Sequence, residues 1–319
     1  GVPISLSNLN LNNEFAIFEV GMSKPGEINK LSNMIKPEIG IITNIAEAHI
    51  ENFKNLKGIA KAKGEIINNI TQQGTIILNR DDKFFSYLYK KAKFKKIKVL
   101  SFGESNYSDV RLVKTINKND HKIITIKTNQ IKMKLKINNI NIYNLLASIA
   151  VIKELNLNFE KFLNSLKSLK PSQGRGRIYT VNRYNKRFKL IDESYNANPL
   201  SVKNAINNFS QIRKKKFKKY LLLGDMLELG QKSEIYHKNL SKLINSSDID
   251  KVFVHGDKSL FTYKTLKKAK RGNIIQNKQD VDLLLKNIIT NNDYLMIKGS
   301  NSTGLNTISK EMIKGTNVI

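Results

Sequence analysis

The sequence predicts an α/β fold in two domains, the first with a mostly parallel sheet plus an antiparallel meander and the second doubly wound. Short apolar runs alternate with segments of helical spacing in both halves of the chain, which is typical of parallel strands joined by crossover helices. From Asp109 to Ile137 apolar and polar residues alternate with a period of two, which is typical of antiparallel strands. The turn-forming stretch Pro171–Gly174 separates the two halves, so we expect domains at residues 1–171 and 172–319.

The first domain is expected to begin with buried strands that alternate with helices. Its strands are predicted at short apolar runs, namely Glu14–Val20, Ile39–Ile45, Thr75–Leu78 and Ile97–Phe102. The intervening helices are predicted from apolar residues spaced three and four apart, namely Pro25–Ile35, Leu56–Ile70 and Asp82–Lys93. The meander follows, with a turn at Asn117–Asp120, and then two helices, Ile142–Leu155 and Phe159–Leu169.

The second domain is expected to alternate strands and helices throughout, after an opening pair of strands. Its strands are predicted at Ile178–Val181, Phe188–Asp192, Tyr220–Leu223, Lys251–Val254, Ile274–Gln276 and Tyr294–Lys298. Its helices are predicted at Leu200–Ile212, Glu234–Ile244, Leu260–Lys270 and Val281–Ile289. Ligands of doubly wound sheets bind beyond the carboxyl ends of the strands. We therefore expect a site at the loops that follow strands, at Gly224–Gly230, His255–Gly256 and Gly299–Gly304.

The charge of the chain favours a solvated lysine-rich surface over a nucleic-acid interface. The 319 residues carry a formal net charge of +29, but only eight of the basic residues are Arg. Proteins that read nucleic acid favour Arg for bidentate contacts, and here the Lys residues are spread through every segment. A polyanion-binding face stays open as the alternative, and no nucleic-acid partner is expected.

Other features of the composition limit the class of protein. Cysteine is absent, which excludes disulfides and thiolate metal sites. The absence of cysteine fits a reduced, cytoplasmic setting, which we expect for this protein. No apolar run approaches the roughly 20 residues of a membrane helix, so we expect no membrane insertion. We also expect a monomer. The chain begins at Gly1 rather than Met, which we interpret as the start of a fragment.

Three residues of the first domain are candidates for nucleotide chemistry because they follow predicted strands. Glu19 ends one buried strand, and a carboxylate there can hold Mg²⁺ beside a nucleotide; the alternative is a solvated acid. His49 follows the next strand and thus lies at the same edge, although an isolated His is more often structural. Asn44 ends that strand and is suited to bind phosphate or to orient His49. Composition alone gives no reason to single out Lys63.

The second domain has its densest polar stretch between a strand and a helix, at Asp192–Pro199. Asn198 and Pro199 have the order of a helix cap and a first helical residue. Capping does not explain why Asp, Glu, Tyr and Asn crowd into one loop, so we interpret the stretch as functional. No phosphate-binding G-x-x-x-x-G-K-[ST] loop, G-x-G-x-x-G fingerprint, H-E-x-x-H or G-x-S-x-G motif occurs in the chain.

Taken in order, several stretches resemble the Mur ligase family. They run from Phe18 to Gly304 and read FEVGMSKPGEI, IITNIAEAHIENF, AKGEI, NIYNLLA, GRGR, LIDESYNANPLS, LLLGDMLELG and IKGSNSTG. The stretches DESYNANP and GDMLELG resemble the branch of the family that adds D-alanyl-D-alanine, and the D-N-P-R motif of the diaminopimelate-adding branch is absent. The resemblance implies a central ATPase domain, here without its phosphate loop and the preceding UDP-sugar domain, followed by a Rossmann-like C-terminal domain.

The activity that the resemblance implies is an ATP-dependent ligase reaction of peptidoglycan synthesis, hence of cell-wall biogenesis. ATP phosphorylates the terminal carboxylate of UDP-N-acetylmuramoyl-tripeptide, and the amine of D-alanyl-D-alanine attacks the acyl phosphate. The implied cofactors are ATP and Mg²⁺. As alternatives we keep another Mur-type or folylpolyglutamate-synthase-like amide ligase, and a basic polyanion-binding protein.

The resemblance also implies roles for individual residues. Glu19, His49 and carbamylated Lys63 would form the catalytic and metal-binding group. Asn144 and Arg175 would approach adenine and phosphate, and Asp192 or Glu193 would lie near the ribose and phosphates. The remaining positions would face the substrates, namely Tyr195, Asn196, Asn198, Asp225, Glu228, Lys298 and Ser300. Ile140 departs from the family pattern, which usually has His there.

Overall fold

The computed structural model describes residues 1–118, 121–129, 131–138, 140–166, 168–212, 216–314 and 317–318. The chain forms two compact units, Gly1–Leu169 and Lys170–Ile319. Both are α/β, as predicted from the sequence. No helix among the residues described is long and apolar enough to cross a membrane.

The first unit is organised around one six-stranded sheet in the order β1-β2-β3-β4-β5-β6. The strands are β1 (Ile39–Ile42), β2 (Thr75–Asn79), β3 (Lys98–Gly103), β4 (Val110–Asn117), β5 (Lys122–Thr128) and β6 (Lys132–Ile137). Strands β1 to β4 pair in parallel and β4 to β6 antiparallel. The predicted meander is confirmed and continues the parallel sheet. Of its predicted turn, Asn119 and Asp120 lie outside the described residues.

Helices cover this sheet and bury two apolar clusters. They are α1 (Val2–Ser7), α2 (Glu27–Ile35), α3 (Leu56–Lys63), α4 (Phe85–Phe94), α5 (Ile142–Glu154) and α6 (Phe159–Leu166). One cluster joins α2, α3 and α4 to alternate residues of β1 and β2, such as Ile76 and Leu78. The other packs α5 against Ile77, Phe102 and Ile126. Each fully buried side chain of this size stabilises the fold by about 1.5–3 kcal/mol.

Two of the predictions for the first unit need correction. The segment Glu14–Val20 is not a buried strand: Phe15 is 54% exposed and Ile17 is 97% exposed. A strand needs a hydrogen-bonding neighbour, and no segment that the structure describes pairs with these residues. The predicted helix Leu56–Ile70 ends as an α-helix at Lys63 and continues as a 3₁₀ helix over Gly64–Asn69, where Gly64 interrupts the helical run.

The second unit contains a seven-stranded sheet in the order β11-β10-β9-β12-β8-β7-β13. Its strands are β7 (Arg177–Arg183), β8 (Lys186–Glu193), β9 (Lys219–Gly224), β10 (Lys251–His255), β11 (Arg271–Ile274), β12 (Tyr294–Lys298) and β13 (Asn317–Val318). The five strands from β11 to β8 pair in parallel, while β7 pairs antiparallel with both β8 and β13. The doubly wound prediction is thereby confirmed, with an antiparallel edge.

The described helices of the second unit include the four that the alternation predicts and one more, Leu305–Ile313, that was not predicted. They are α7 (Pro199–Gln211), α8 (Ser233–Ser246), α9 (Ser259–Thr265), α10 (Lys278–Asn287) and α11 (Leu305–Ile313). The predicted helix Leu260–Lys270 ends as an α-helix at Thr265 and is followed by a 3₁₀ turn over Lys268–Lys270. Strand β12 lies between β8 and β9, although it comes after β11 in the chain. The loops that follow β8, β9 and β12 therefore meet at one edge of the sheet. The predicted strand Ile274–Gln276 is displaced toward Arg271.

Candidate functional site

The carboxyl ends of β1 and β2 carry the first group of candidate residues. Asn44 is exposed in the loop after β1. That loop is held by β2 and the turn after it. The side-chain amide of Asn79 donates to the backbone oxygen of Thr43 at 3.0 Å, and the Asp82 carboxylate accepts from the backbone amide of Ile45 at 2.7 Å. Sequence reasoning missed Asn79 and Asp82, which sit just after an apolar run where a turn explains them equally well.

Lys63 reaches the same loop from the last turn of α3. Its ammonium donates to the backbone oxygen of Asn44 at 2.9 Å. Burial lowers the pKa of Lys63, and the charge of Asp82 opposes that shift. A lysine with a lowered pKa has a larger neutral fraction, and the neutral amine is the nucleophilic form. Thus the structure distinguishes Lys63 from the solvated lysines around it, which composition alone did not.

His49 lies further along the loop after β1. It is half-buried in a left-handed conformation with φ 54° and precedes a 3₁₀ turn over Ile50–Asn52. Nearby, the Glu65 carboxylate accepts the amides of Gly26 and Asn29 at 2.9 and 3.0 Å, at the start of α2. Carboxylates are favoured at helix N-termini, so Glu65 of the AKGEI stretch stabilises α2.

The three residues expected to hold a metal ion lie on separate segments of the first unit: Glu19 before α2, His49 after β1 and Lys63 at the end of α3. Glu19 is exposed in the unpaired segment before α2. Among the described residues, no group of three or more His, Cys, Asp and Glu side chains is arranged to hold a metal ion. Unmodified Lys63 donates through its ammonium, whereas Mg²⁺ prefers oxygen ligands. Of the three residues, Lys63 would therefore serve Mg²⁺ only as the carbamate, which stays a prediction.

Asn144 lies at the start of α5, where it is exposed. Asn141 caps this helix, and its side-chain oxygen accepts from the Asn144 amide at 3.1 Å. Beside it, the Tyr143 hydroxyl donates to the Asp81 carboxylate at 2.9 Å. Burial, followed by that hydrogen bond, raises the pKa of Tyr143. Asn144 therefore lies in the first turn of a capped helix.

The two acidic residues at the end of β8 differ in their surroundings. Asp192 is 1% exposed, and its carboxylate accepts from the Gly174 amide at 2.9 Å and the Ser194 hydroxyl at 2.6 Å. The Glu193 carboxylate instead faces Lys298, with 3.5 Å between Oε2 and Nζ. Because its oxygens are occupied inside the protein, Asp192 shapes the loop, and Glu193 is better placed to meet a ligand.

Lys298 ends β12 in the neighbouring position. It is 3% exposed, and its ammonium also donates to the backbone oxygen of Glu193 at 3.3 Å and to the backbone oxygen of Asn196. Burial lowers the pKa of Lys298 and raises the pKa of Glu193, while the attraction between them opposes both shifts. The pair is a charged group held in a poorly solvated place, as functional sites often require.

Arg175 and Tyr195 form the exposed rim of this group. The Arg175 guanidinium lies 4.3 Å from the centre of the Tyr195 ring, a favourable cation–π geometry. Gly174 makes the approach possible, since it has φ +76° and a Cβ there would lie 2.8 Å from the Tyr195 Cβ. Tyr195 is 49% exposed, so part of its ring is available to a ligand.

Asn196 and Asn198 belong to the same loop but face different partners. The predicted cap is confirmed: the Asn198 side chain accepts from the Ser201 amide at 2.8 Å, and Pro199 is the first residue of α7. The side chain of Asn196 is exposed, and its backbone oxygen holds Lys298. The cap thus fixes the end of the loop, and Asn196 connects it to β12.

The loops after β9 and β12 are tied to each other. The Leu227 amide donates to the Ser300 hydroxyl and the Ser300 amide to the Asp225 oxygen, both at 3.0 Å. The Asp225 carboxylate accepts from the Ser259 amide at 2.7 Å. Glu228 is exposed with φ 60°. Sequence reasoning missed Ser259, whose amide contact no local pattern indicates.

Comparisons with known proteins identify both domains. Residues 1–152 match the Mur ligase middle domain, and residues 174–301 match the domain described as Mur ligase, glutamate ligase domain. The chain is 31% identical over 318 residues to the UDP-N-acetylmuramoyl-tripeptide–D-alanyl-D-alanine ligase of Buchnera aphidicola from Baizongia pistaciae. That match covers 98% of this chain and 67% of the relative.

Solved structures show the same fold. MurF from Acinetobacter baumannii superimposes with a TM-score of 0.84 at 24% identity, over 98% of this chain and 68% of that one. MurF from Thermotoga maritima, in complex with ADP, gives a TM-score of 0.83 at 22% identity, over 98% of this chain and 70% of that one. The chain spans about two thirds of the length of these proteins.

Proposed function

The chain belongs to the Mur ligase family, and on that premise we propose that it works in the ligase that joins D-alanyl-D-alanine to UDP-N-acetylmuramoyl-tripeptide. The Buchnera relative carries that name. The observation that best supports the proposal in this chain is the Asp192–Asn198 loop, held against Lys298 by the Glu193 and Asn196 contacts. Substrates that include ATP and a UDP-linked sugar make the cytoplasm the proposed location.

The reaction that we propose has two steps. A carboxylate oxygen of the tripeptide attacks the terminal phosphorus of ATP, which forms an acyl phosphate and releases ADP. The neutral amine of D-alanyl-D-alanine then attacks the acyl carbon, phosphate leaves, and one proton leaves the new amide nitrogen. Both steps place negative charge on phosphoryl oxygens, so positioned cations stabilise them.

The second unit supplies groups suited to the acceptor. The Lys298 ammonium is occupied by the Glu193 carboxylate and by the backbone oxygens of Glu193 and Asn196, so it fixes the loop that we propose meets the dipeptide. Tyr195 and Asn196 are exposed on the same loop and offer an aromatic face and an amide. We propose that these residues, with Ser300, Asp225 and Glu228 on the adjoining loops, hold the dipeptide. Asn198 contributes by capping α7.

The first unit supplies groups suited to the nucleotide. Asn44 is exposed just after β1, and Asn144 is exposed in the first turn of α5. We propose that Asn44 contacts phosphate and Asn144 contacts adenine. Arg175 and Glu193 of the second unit are proposed for phosphate and ribose. Mg²⁺ is proposed as a cofactor, with Glu19 and His49 as residues that would hold it; the carbamylated form of Lys63 would add an oxygen ligand.

The experiment that tests this function is an acceptor panel with the complete gene product that contains these residues. ATP and UDP-N-acetylmuramoyl-tripeptide are held constant, and D-alanyl-D-alanine, D-glutamate, diaminopimelate and L-alanine are supplied singly. We expect a new amide product, seen by mass, with the dipeptide. A product with a single amino acid instead would contradict the proposal and favour another branch of the family.

A further inference from the structure

His237 lies outside the site described above, fully buried in the second turn of α8. Both of its ring nitrogens meet backbone groups. Nε2 is 3.0 Å from the Met226 amide nitrogen, and Nδ1 is 2.7 Å from the Ser233 oxygen. The His237 backbone oxygen also accepts from the Thr262 hydroxyl at 2.7 Å. One residue thus connects α8 and α9 with the loop after β9.

These contacts define the protonation state of the ring. A backbone amide can only donate and a backbone oxygen can only accept. The imidazole must therefore carry its hydrogen on Nδ1 and a lone pair on Nε2, which is the neutral form. Burial, the largest cause, lowers the pKa of His237. Of the charged groups that act on the ring, Asp225 favours the cation and Lys258 opposes it.

The backbone amide that donates to His237 belongs to Met226, in the middle of a candidate substrate loop. The next amide, of Leu227, donates to the Ser300 hydroxyl, and the preceding oxygen, of Asp225, accepts from the Ser300 amide. Met226 is itself completely buried. The backbone from Asp225 to Leu227 is therefore fixed on one side by His237 and on the other by Ser300. Its shape decides where Glu228, with φ 60°, projects.

We propose that His237 is a positioning residue for the dipeptide acceptor, because its neutral imidazole holds the Asp225–Glu228 backbone in the form that Ser300 and the β12 loop require. This inference rests on the proposed function. Protonation of His237 places an N–H against the N–H of Met226, which breaks the contact. Loss of the contact leaves a buried amide without its acceptor, which is unfavourable and releases the loop.

Two substitutions separate this role from simple filling of the core. In His237→Gln the side-chain oxygen reaches the position of Nε2 and can still accept from Met226. In His237→Asn the shorter amide can replace only the Nδ1 contact with Ser233. The control is Ser241→Ala, since Ser241 is buried one turn later in α8 and its hydroxyl bonds only within the helix, to the Lys238 oxygen at 2.7 Å.

The kinetic experiment uses the complete gene product and measures KM separately for D-alanyl-D-alanine, ATP and UDP-N-acetylmuramoyl-tripeptide. We expect His237→Asn to raise the KM for the dipeptide by roughly ten-fold or more, with the other two KM values changed far less. His237→Gln and Ser241→Ala should stay near wild type. In the wild type the KM for the dipeptide should also rise as pH falls through the titration of His237, and His237→Gln should lose that dependence.

Amide hydrogen exchange of the peptide around Met226 is measured in the same variants. Faster exchange in His237→Asn, restored in His237→Gln, supports the proposal. Wild-type exchange and wild-type dipeptide KM in a folded His237→Asn protein would overturn it, as would an equal rise in all three KM values. If the wild type shows no dipeptide-dependent ADP release, the proposed function fails and so does the role in acceptor binding. The exchange data then still decide whether His237 holds the loop.

Discussion

The ammonium of Lys63 donates a 2.9 Å hydrogen bond to the backbone oxygen of Asn44, and burial lowers the pKa of this lysine. The first prediction concerns its carbamylation. The neutral amine attacks the carbon of CO₂, a proton leaves the nitrogen, and a carboxylate forms where a cation stood. We expect ¹³C-labelled bicarbonate at mildly alkaline pH to give a carbamate signal in the wild-type chain that Lys63→Arg lacks.

The kinetic counterpart of this experiment uses Lys61 as its control, because Lys61 is exposed two residues earlier on the same helix. Lys63→Arg keeps a cation but cannot form a carbamate, so it should lower kcat of the complete gene product by roughly 100-fold or more. Lys61→Arg should change little. Wild-type activity in Lys63→Arg would show that no modification is needed.

The second prediction concerns the pair formed by Lys298 and Glu193. Lys298→Met leaves a largely buried carboxylate without its cation, which we expect to lower the free energy of unfolding by about 2 kcal/mol. This lies below the usual 3–5 kcal/mol for a buried pair, because the Glu193 side chain keeps 26% of its surface exposed. Urea unfolding of the variant and the wild type provides the measurement.

The same pair predicts the pH dependence of that loss. Burial raises the pKa of Glu193 above its ordinary 4.5, and removal of Lys298 raises it further. The native state then binds a proton more tightly than the unfolded state, so this group adds stability as pH falls through its native pKa toward 4.5. The deficit of Lys298→Met should therefore be largest near neutral pH and shrink on acidification. A deficit that grows toward pH 4.5 would refute this account.

The third prediction compares two glycines with left-handed backbones. Gly174 and Gly304 have φ +76° and φ +80°, but a Cβ meets the Tyr195 backbone nitrogen at 3.0 Å only at Gly174, while Gly304 has open space. Both Ala substitutions should cost about 1 kcal/mol for the backbone conformation. Gly174→Ala should cost more and lower Tm further. Equal Tm values would show that the Tyr195 loop moves aside without penalty.

The fourth prediction concerns a buried ion pair far from the candidate site. The Lys219 side chain is completely buried, with Nζ 2.6 Å from Asp248 and 3.2 Å from the Ser210 oxygen. Asp248→Ala leaves this ammonium without its counter-ion and should destabilise the chain by about 3 kcal/mol. The double variant with Lys219→Met should recover most of that loss. The free energy of unfolding of the wild type, Asp248→Ala and the double variant is measured by chemical unfolding. A double variant no more stable than Asp248→Ala would contradict the account.

Sequence patterns predicted most elements of this fold, because burial periodicity reports local backbone geometry. Strand Tyr294–Lys298 has the predicted bounds. The prediction was wrong at Glu14–Val20, where an apolar run predicts a strand but no described segment pairs with it. Pairing depends on residues distant in the chain, which periodicity does not reveal.

The site was predicted in outline but not in its internal division of roles. The sequence placed Asp192 and Glu193 together, and only the structure shows that Gly174 and Ser194 occupy the first carboxylate while Lys298 faces the second. His237 and Asp82 went unnoticed because each accepts a hydrogen bond from a backbone amide of another loop, that of Met226 and that of Ile45. No residue pattern near either one carries that information.

The most direct test of the central claim is ADP release by the complete gene product, with ATP and UDP-N-acetylmuramoyl-tripeptide, as a function of D-alanyl-D-alanine concentration. The account predicts that the dipeptide stimulates release in the wild type, and that Lys298→Met needs a much higher dipeptide concentration for the same stimulation. Folded wild-type protein that binds ATP but shows no dipeptide-dependent release would contradict the proposed function. An unchanged dipeptide dependence in Lys298→Met would contradict the acceptor site.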